Sequence, residues 1–230
     1  MLYAVVFALL SGYLTYLTVT LGGWAIWLLW PALGFAVLTA GYLGVGPGIF
    51  GKQSTGRFHP LPLVVLLPIL LLLWLVWHLK RLLSRKPACH QIVPGLWLGR
   101  RPLAGEVPQE VRLLVDLTAE FCRAPGLPGP NCDYLTVPTL DGLAPPLEGF
   151  QMALQRVLQC DGPVYIYCAL GHSRSATLAA AVLLARERVA NVAEAERLLA
   201  SVRPGVRLMP PQRRLLHRLF TPPRKAISAV

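Results

Sequence analysis

The amino-acid sequence predicts a chain in two parts: about three N-terminal transmembrane helices, followed by an α/β domain with a mainly parallel central sheet. The first reason is composition, because 54% of the 230 residues are hydrophobic and the mean hydropathy of +0.52 is too high for one ordinary soluble domain. The second reason is charge. All eleven acidic residues lie between Glu106 and Glu196, whereas residues 1–79 carry only Lys52 and Arg57 as strong charges. The chain therefore divides near residue 80.

Three long apolar runs follow one another in the first part: Leu2–Leu21, Trp24–Leu43 and Leu61–Leu79. None contains a strongly charged residue over roughly the 20 positions that a bilayer core requires. A signal peptide followed by a buried core does not explain them, because no positively charged segment precedes the first run and three runs exceed any signal sequence. We interpret residues 1–79 as a transmembrane region with three spans, and two spans is the alternative.

A basic segment follows the third run. Lys80–Lys86 carries four positive charges in seven residues, against two in the loop 44–60. The positive-inside rule then predicts a cytoplasmic C-terminal domain, with the 44–60 loop on the opposite side of the membrane. Residues 80–89 are expected to form a juxtamembrane linker near anionic lipid. Lysine is scarce relative to arginine, and alanine, leucine and proline are abundant, which indicates a bacterial inner-membrane protein.

The second part, residues 90–220, is long enough for one domain with its own core. Short apolar runs predict strands at 96–98, 112–117, 134–137 and 163–167. Apolar residues at helical spacing predict helices at 146–159, 175–188, 192–202 and 211–220. Strands that alternate with helices indicate an α/β sandwich with a mainly parallel sheet. The short basic tail, 221–230, is expected to be disordered.

The five cysteines exclude two common roles. Their number is odd and no CxxC pair occurs, so neither a disulfide framework nor a zinc site is indicated. The histidines are scattered, and we expect no metal and no other cofactor. A free thiol suits a reducing compartment, where a catalytic cysteine stays intact.

Chemistry is indicated where the apolar strand Val164–Tyr167 ends in Cys168 and a turn with Gly171 leads into a helix. A loop that enters a helix N-terminus directs several backbone N–H groups at one point, which suits a phosphate dianion. The same field stabilises a thiolate, so Cys168 is expected to be the nucleophile. Arg174 can bind two phosphate oxygens, and the Ser175 hydroxyl can hydrogen-bond the sulfur as it leaves.

Cleavage of a phosphate ester also requires a proton for the leaving oxygen. Asp141 is the candidate general acid, because it follows a strand and lies in a Gly/Pro-rich loop 27 residues before Cys168. Asp116 is the second candidate, although its position at the end of a strand suggests a turn or cap role.

Cys168, Gly171, Arg174 and Ser175 match the CxxGxxRS signature, and the sequence here resembles the dual-specificity branch of the cysteine-dependent protein tyrosine phosphatases. The resemblance covers about residues 90–220, since segments 94–99, 115–120 and 137–141 resemble the opening strand, the DLTxE turn and the acid loop of that family in the same order. It implies a dual-specificity-phosphatase-like fold. It also implies the catalytic residues Cys168, Arg174, Asp141 and Ser175, and a phosphate-binding loop formed by Ala169, Leu170, Gly171, His172, Ser173 and Arg174.

Two features depart from the family pattern. Tyr167 precedes the nucleophile where the family usually has histidine, which predicts lower activity or a less activated thiol. For His172, contact with the substrate and exposure to solvent are equal alternatives. The loop also lacks the extra basic residues of phosphatases that act on highly charged inositol headgroups. This argues against polyphosphoinositides but not against a lipid with one terminal phosphate.

Three functions follow from these observations. The first is a membrane-anchored phosphatase that hydrolyses phosphate monoesters of phosphotyrosine or phosphoserine/threonine proteins. The second is a lipid phosphatase, for example on phosphatidylglycerophosphate, because three apolar runs and a net charge of +11 favour an anionic membrane surface. The third is a weakly active module that binds phosphorylated partners, for which Tyr167 is the indication. The expected partners are a phosphorylated protein or phospholipid and the membrane, without nucleic acid; the sequence does not define an oligomeric state.

Overall fold

The computed structural model describes residues 2–220, so the predicted disordered tail lies outside the described residues. Residues 2–83 contain three helices: α1 (Leu2–Leu21), α2 (Leu29–Ala40), which continues a 3-10 turn at Gly23–Leu28, and α3 (Pro60–Leu83). By length and composition, the segments Leu2–Leu21, Gly23–Val45 and Pro60–Leu83 are each sufficient to cross a membrane. The helix α3 includes the first part of the basic segment that was expected to be linker.

Helices α1 and α2 form an antiparallel hairpin held by polar groups inside an otherwise apolar pair. Ser11 Oγ donates a hydrogen bond to the Ala32 carbonyl oxygen at 2.9 Å, and Thr18 Oγ1 to that of Ala25 at 3.2 Å. At the open end of the hairpin, the rings of Tyr3 and Tyr42 lie 5.2 Å apart between centroids. This end faces the rest of the protein.

The second part is an α/β domain with a five-stranded sheet in the order β1-β2-β5-β3-β4. Its strands are β1 (Cys89–Val93), β2 (Leu96–Arg100), β3 (Leu113–Thr118), β4 (Asp133–Thr139) and β5 (Val164–Cys168), and its helices are α4 (Leu147–Leu158), α5 (Arg174–Ala185), α6 (Val192–Val202) and α7 (Pro210–Phe220). Only β1 pairs in antiparallel fashion, with β2, and the other pairings are parallel. The predicted mainly parallel sheet is confirmed, and β1 is the strand that the sequence pattern missed.

Alternation along the buried strands divides the core between the two faces of the sheet. Val115 and Ile166 point toward the four helices, where they share one apolar cluster with Phe150 of α4 and Leu178 of α5. The neighbouring residues point toward the opposite face, which loops cover, and Tyr167 is among them. The central strand β5 therefore carries its C-terminal residue to the helix side, at the start of the loop that leads into α5.

The loop between α2 and α3 lies against the α/β domain. Lys52 Nζ is 2.7 Å from Asp116 Oδ2, and both side chains are fully buried. The backbone N–H of Arg123 also donates to the Gly56 carbonyl oxygen at 2.8 Å. The expectation that this loop and the domain lie on opposite sides of the membrane is therefore wrong, because the buried Lys52–Asp116 pair and backbone and side-chain hydrogen bonds join them directly.

Candidate active site

The loop between β5 and α5 surrounds the sulfur of Cys168. The backbone N–H of Gly171 and the hydroxyl of Ser175 each lie 3.3 Å from Sγ and donate to it, and the cysteine side chain is buried. Gly171 has a φ of +73°, and a side chain there would collide with the backbone of Gly99 on β2. A glycine at this position lets the loop fold tightly over the edge of the neighbouring strand.

Donors from outside the loop hold its carbonyl groups. Trp77 Nε1 of α3 donates to the Ala169 oxygen at 2.8 Å. Arg203 donates from Nε to the Gly171 oxygen at 2.9 Å and from NH2 to the Leu170 oxygen at 3.0 Å. These bonds hold the carbonyl groups on the outside of the loop, so its N–H groups can face an anion at the centre, where the Gly171 N–H already donates to the Cys168 sulfur.

Arg174, the first residue of α5, is buried and fixed by Glu120. The two carboxylate oxygens of Glu120 accept hydrogen bonds from NH1 and NH2 at 2.7 Å each, and the Thr139 carbonyl oxygen accepts a further one from NH1 at 2.9 Å. Nε lies 3.3 Å from Asp141 Oδ1 but makes no hydrogen bond to any residue that the structure describes. Of the five guanidinium N–H groups, the one on Nε and the second one on NH2 therefore remain for ligand oxygens.

The charges of this pair support each other. Burial alone would raise the pKa of the Glu120 carboxyl, but the charge and hydrogen bonds of Arg174 outweigh burial and hold that pKa below its ordinary value. Burial likewise opposes the charge of Arg174, and Glu120 reverses the effect and raises the pKa of the guanidinium. Both groups are charged at neutral pH.

The two candidate acids occupy different environments. Asp141 is more than half exposed and lines the same cavity as Cys168 and Arg174. Asp116 is buried in the ion pair with Lys52, and its Oδ1 accepts hydrogen bonds from the backbone N–H and hydroxyl of Thr118 at 2.8 and 2.7 Å. The structure thus brings Asp141 to the cysteine loop and assigns Asp116 the turn role that its strand-end position suggested.

The remaining loop residues have partners that the sequence did not reveal. Ser173 Oγ donates to Gln212 Oε1 of α7 at 2.8 Å, so this hydroxyl holds the loop onto the domain. His172 is half-buried, and burial, followed by the nearby charge of Arg203, lowers the pKa of its imidazole, which is neutral at pH 7. Tyr167 is buried on the opposite face of the sheet, close to Asp116, rather than beside the loop.

A cavity of about 420 Å³ opens directly over the cysteine loop. Its floor contains Cys168, Arg174 and Asp141, while all three N-terminal helices contribute to its walls. The wall side chains are mainly apolar and aromatic: Tyr3, Phe7, Phe35, Tyr42, Leu73 and Val76. Tyr42 also connects the wall to the floor, because its hydroxyl donates to the Asp141 carbonyl oxygen at 3.1 Å.

Sequence reasoning missed four residues that shape this site: Lys52, Trp77, Glu120 and Arg203. Glu120 is part of the DLTxE turn, and its position just after a buried strand could have indicated a role at the site. Trp77 and Lys52 lie in the apolar part of the chain, where they resemble an interfacial aromatic residue and a loop charge. No local pattern distinguishes Arg203 from the other arginines of the domain.

Comparison with known proteins identifies the family, although no protein-family model matches the chain. Human dual specificity phosphatase 28 is 32% identical over 123 residues, which cover 51% of this chain and 69% of that protein. Human phosphatidylglycerophosphatase and protein-tyrosine phosphatase 1 is 32% identical over 144 residues, which cover 54% of this chain and 68% of that protein.

Solved structures agree on the fold. A crystal structure of PTPMT1 in complex with PI(5)P has a TM-score of 0.52 at 24% identity and covers 58% of this chain and 94% of that chain. Human tyrosine phosphatase-like serine/threonine/tyrosine-interacting protein has a TM-score of 0.51 at 18% identity, over 58% of this chain and 96% of that chain. The chain has the fold and the cysteine loop of these proteins, and it covers more than two thirds of the length of two relatives that are 32% identical to it. It therefore belongs to the dual-specificity branch of the cysteine-dependent protein tyrosine phosphatases.

Proposed function

We propose that this phosphatase hydrolyses lipid phosphate monoesters at a membrane, through a thiol-phosphate intermediate on Cys168. The single observation that carries the lipid assignment is the apolar cavity whose walls come from α1, α2 and α3 and whose floor is the cysteine loop. A phosphate bound over Cys168 would have its organic group within this cavity. A volume of about 420 Å³ accommodates a small or medium ligand group, and apolar walls favour acyl chains over a hydrated peptide.

The chemistry uses two steps. In the first, the Cys168 thiolate attacks phosphorus, a P–S bond forms, the ester P–O bond breaks, and Asp141 gives its proton to the leaving oxygen. In the second, water attacks the thiol-phosphate, Asp141 accepts a proton from that water, and the sulfur leaves with a hydrogen bond from Ser175. The free N–H groups of Arg174 on Nε and NH2, together with the loop N–H groups, bind the phosphoryl oxygens in both steps.

The phosphate-binding loop in this proposal consists of Ala169, Leu170, Gly171, His172, Ser173 and Arg174. Its backbone supplies the N–H groups, whereas the Ser173 hydroxyl is already engaged with Gln212. Only one side chain of the loop is strongly basic, Arg174, which suits a substrate with a single phosphate monoester group. The name of the relative phosphatidylglycerophosphatase and protein-tyrosine phosphatase 1 supports a substrate of this kind.

Phosphoprotein hydrolysis is the second candidate, and the similarity to dual specificity phosphatase 28 favours it. For either substrate we place the active site at the cytoplasmic face of a bacterial inner membrane. The exposed basic residues Arg57, Arg85 and Lys86 support this side under the positive-inside rule. A reducing cytoplasm also keeps the Cys168 thiol available.

Turnover of matched substrates by the detergent-purified full chain separates the two candidates. The set consists of phosphatidylglycerophosphate with long acyl chains, the same headgroup with butyryl chains, a phosphotyrosine peptide and p-nitrophenyl phosphate. We expect kcat/KM for the long-chain lipid to exceed that for the butyryl lipid at least about 100-fold, because each buried CH₂ contributes about 0.8 kcal/mol. A preference for the peptide over both lipids would assign the protein substrate instead.

A cavity variant provides the structural control. Leu73→Trp fills the wall of the cavity, and we expect it to lower turnover of the long-chain lipid at least about tenfold, a loss of about 1.4 kcal/mol. Turnover of p-nitrophenyl phosphate should stay near the parent value. Leu75→Trp places the same side chain on the exposed face of α3, outside the cavity, and should behave as the parent with both substrates. Equal losses in the two variants would contradict the role of the cavity.

A further inference from the structure

We propose that α3 lies in the plane of the membrane surface, between the α/β domain and the lipid, and that only the α1–α2 hairpin crosses the bilayer. The chain then has its N-terminus, the loop between α2 and α3, and the α/β domain on one side. The position of the protein in the membrane is independent of which phosphate monoester it hydrolyses.

The two ends of α3 are the first observation. At its start, the His59 N–H donates to the Gly51 carbonyl oxygen at 2.9 Å, which brings Pro60 next to Lys52 and its buried partner Asp116. Near its end, Trp77 donates to the Ala169 oxygen in the cysteine loop at 2.8 Å. At 1.5 Å per residue these ends are about 26 Å apart. A helix whose preceding loop and whose Trp77 both contact one domain runs along that domain and does not lead across a bilayer.

The middle of α3 is consistent with this path. Leu66 and Ile69 are buried in one apolar cluster with Ala119 and Leu140, which belong to the loops that follow β3 and β4. Further along, the ring of Trp77 is 6.0 Å from that of Phe121. The second half of α3 thus lies over the loops that follow β3 and β4, while its first half packs on α2, where Trp30 Nε1 donates to the Val64 carbonyl oxygen at 2.9 Å.

The two long faces of α3 are both apolar, but only one is covered. Leu66, Ile69, Leu73 and Trp77 form the inner stripe, which faces the domain and the cavity. The outer stripe lies on the opposite face of α3 and consists of Val64, Leu71, Leu75 and Leu82. At 3.6 residues per turn, these four residues lie within about 20° of one line parallel to the helix axis. Their side chains are 50–73% exposed. An uncovered apolar stripe of this length, with the α/β domain on the other side of the helix, fits contact with lipid.

The α1–α2 hairpin supplies the anchor. Helix α1 has 20 residues and is about 30 Å long, which matches the hydrocarbon core. At the closed end of the hairpin, Trp24 and Trp27 are 73% and 72% exposed, as in the aromatic belt at a membrane boundary. At the open end, Tyr42 is hydrogen-bonded to the acid loop of the α/β domain through the Asp141 oxygen. The open end and the domain therefore share one side.

Labelling with a membrane-impermeant maleimide tests the sidedness in sealed inverted and right-side-out vesicles. The exposed native Cys122 marks the side of the α/β domain, in a full-length chain whose other cysteines are serine. We expect Ser54→Cys to be labelled in the same vesicles as Cys122, and Trp24→Cys in the opposite ones. Labelling of Ser54→Cys together with Trp24→Cys would overturn the proposal. Trypsin cleavage after the exposed Arg57 of the unmodified chain gives the same test without substitutions.

The depth of spin labels tests the orientation of α3. Labels are placed on the outer stripe at Val64→Cys, Leu71→Cys and Leu82→Cys, in a full-length chain without other cysteines, and their depth is measured by power saturation in vesicles that contain anionic lipid. We expect all three at one shallow depth of about 5–10 Å. If α3 spans the membrane, the first and last labels instead lie about 27 Å apart in depth. That result would overturn the proposal.

Discussion

Replacing Lys52 by methionine removes a buried charge and leaves a side chain of similar length. In the native protein, Lys52 Nζ donates to Asp116 Oδ2 and to the Thr118 carbonyl oxygen at 2.7 Å each, and to Thr118 Oγ1 at 3.0 Å. The side chains of Lys52 and Asp116 are both fully buried. The substitution therefore leaves the Asp116 carboxylate inside the protein without its cation.

The size of the effect follows from this burial. Removing one partner of a buried ion pair costs about 3–5 kcal/mol, whereas an exposed pair contributes about 0–1 kcal/mol. For a chain of this size, 1 kcal/mol corresponds to a change in Tm of roughly 2–4 °C. We expect Lys52→Met to lower the Tm of the detergent-purified protein by roughly 6–20 °C.

Thermal unfolding followed by near-UV circular dichroism measures this shift. Lys86→Met, at an exposed lysine, is the matched control and should melt within about 2 °C of the parent. Adding Asp116→Asn to Lys52→Met removes the uncompensated charge and should restore part of the loss. If Lys52→Met melts as the parent does, the loop between α2 and α3 is not docked on the α/β domain, and the reasoning from burial fails.

Further predictions concern the cysteine loop and its partners. Cys168→Ser should abolish turnover and keep the fold, because a hydroxyl is far less ionised than a thiol; substantial residual activity in a discontinuous phosphate assay would contradict the covalent step. Asp141→Asn should lower kcat by roughly 10²–10⁴ with an alkyl phosphate and much less with p-nitrophenyl phosphate, and equal losses would move the acid elsewhere. Glu120→Gln should lower kcat/KM roughly 10–100-fold, because Arg174 loses charge-assisted hydrogen bonds. The pKa of Glu120 is lower in the folded protein than in the unfolded chain. The ionised carboxylate therefore stabilises the fold at pH values above the ordinary pKa of a glutamate, and this stabilisation is lost as the pH falls through the pKa of the folded protein. The Tm of the parent should consequently fall more between pH 7 and pH 3 than that of Glu120→Gln, and parallel curves would argue against the pair.

The sequence was sufficient for features that depend on neighbouring residues. The strand Val164–Tyr167, the turn at Gly171 and the following helix were predicted from one continuous segment, and the structure has them in that order. The strand β1 was missed because Cys89–Val93 mixes polar and apolar residues without clear alternation. The extra helical residues of α3 were missed because a basic segment after an apolar run looks like a linker.

Contacts between distant parts of the chain were beyond the sequence patterns. Lys52 and Asp116 are 64 positions apart, and nothing around the lysine shows that its charge is buried. The positive-inside rule compared the basic residues of the 44–60 loop with those of residues 80–86. That comparison assumed that α3 crosses the membrane and so separates the two segments. The ion pair removes that assumption, because it fixes the loop beside the domain.

The hydrogen bond from Trp77 to the Ala169 oxygen has a consequence for what happens when the two parts of the chain are separated. A protease that cuts between Leu83 and Cys89 would free a domain with an intact cysteine, arginine and acid. The freed domain would lack the donor that holds a loop carbonyl group, the cation of Asp116 and the walls above Cys168. Cleavage at this point would therefore yield an α/β domain with an incomplete active site, so we expect the freed domain to be less active than the full chain.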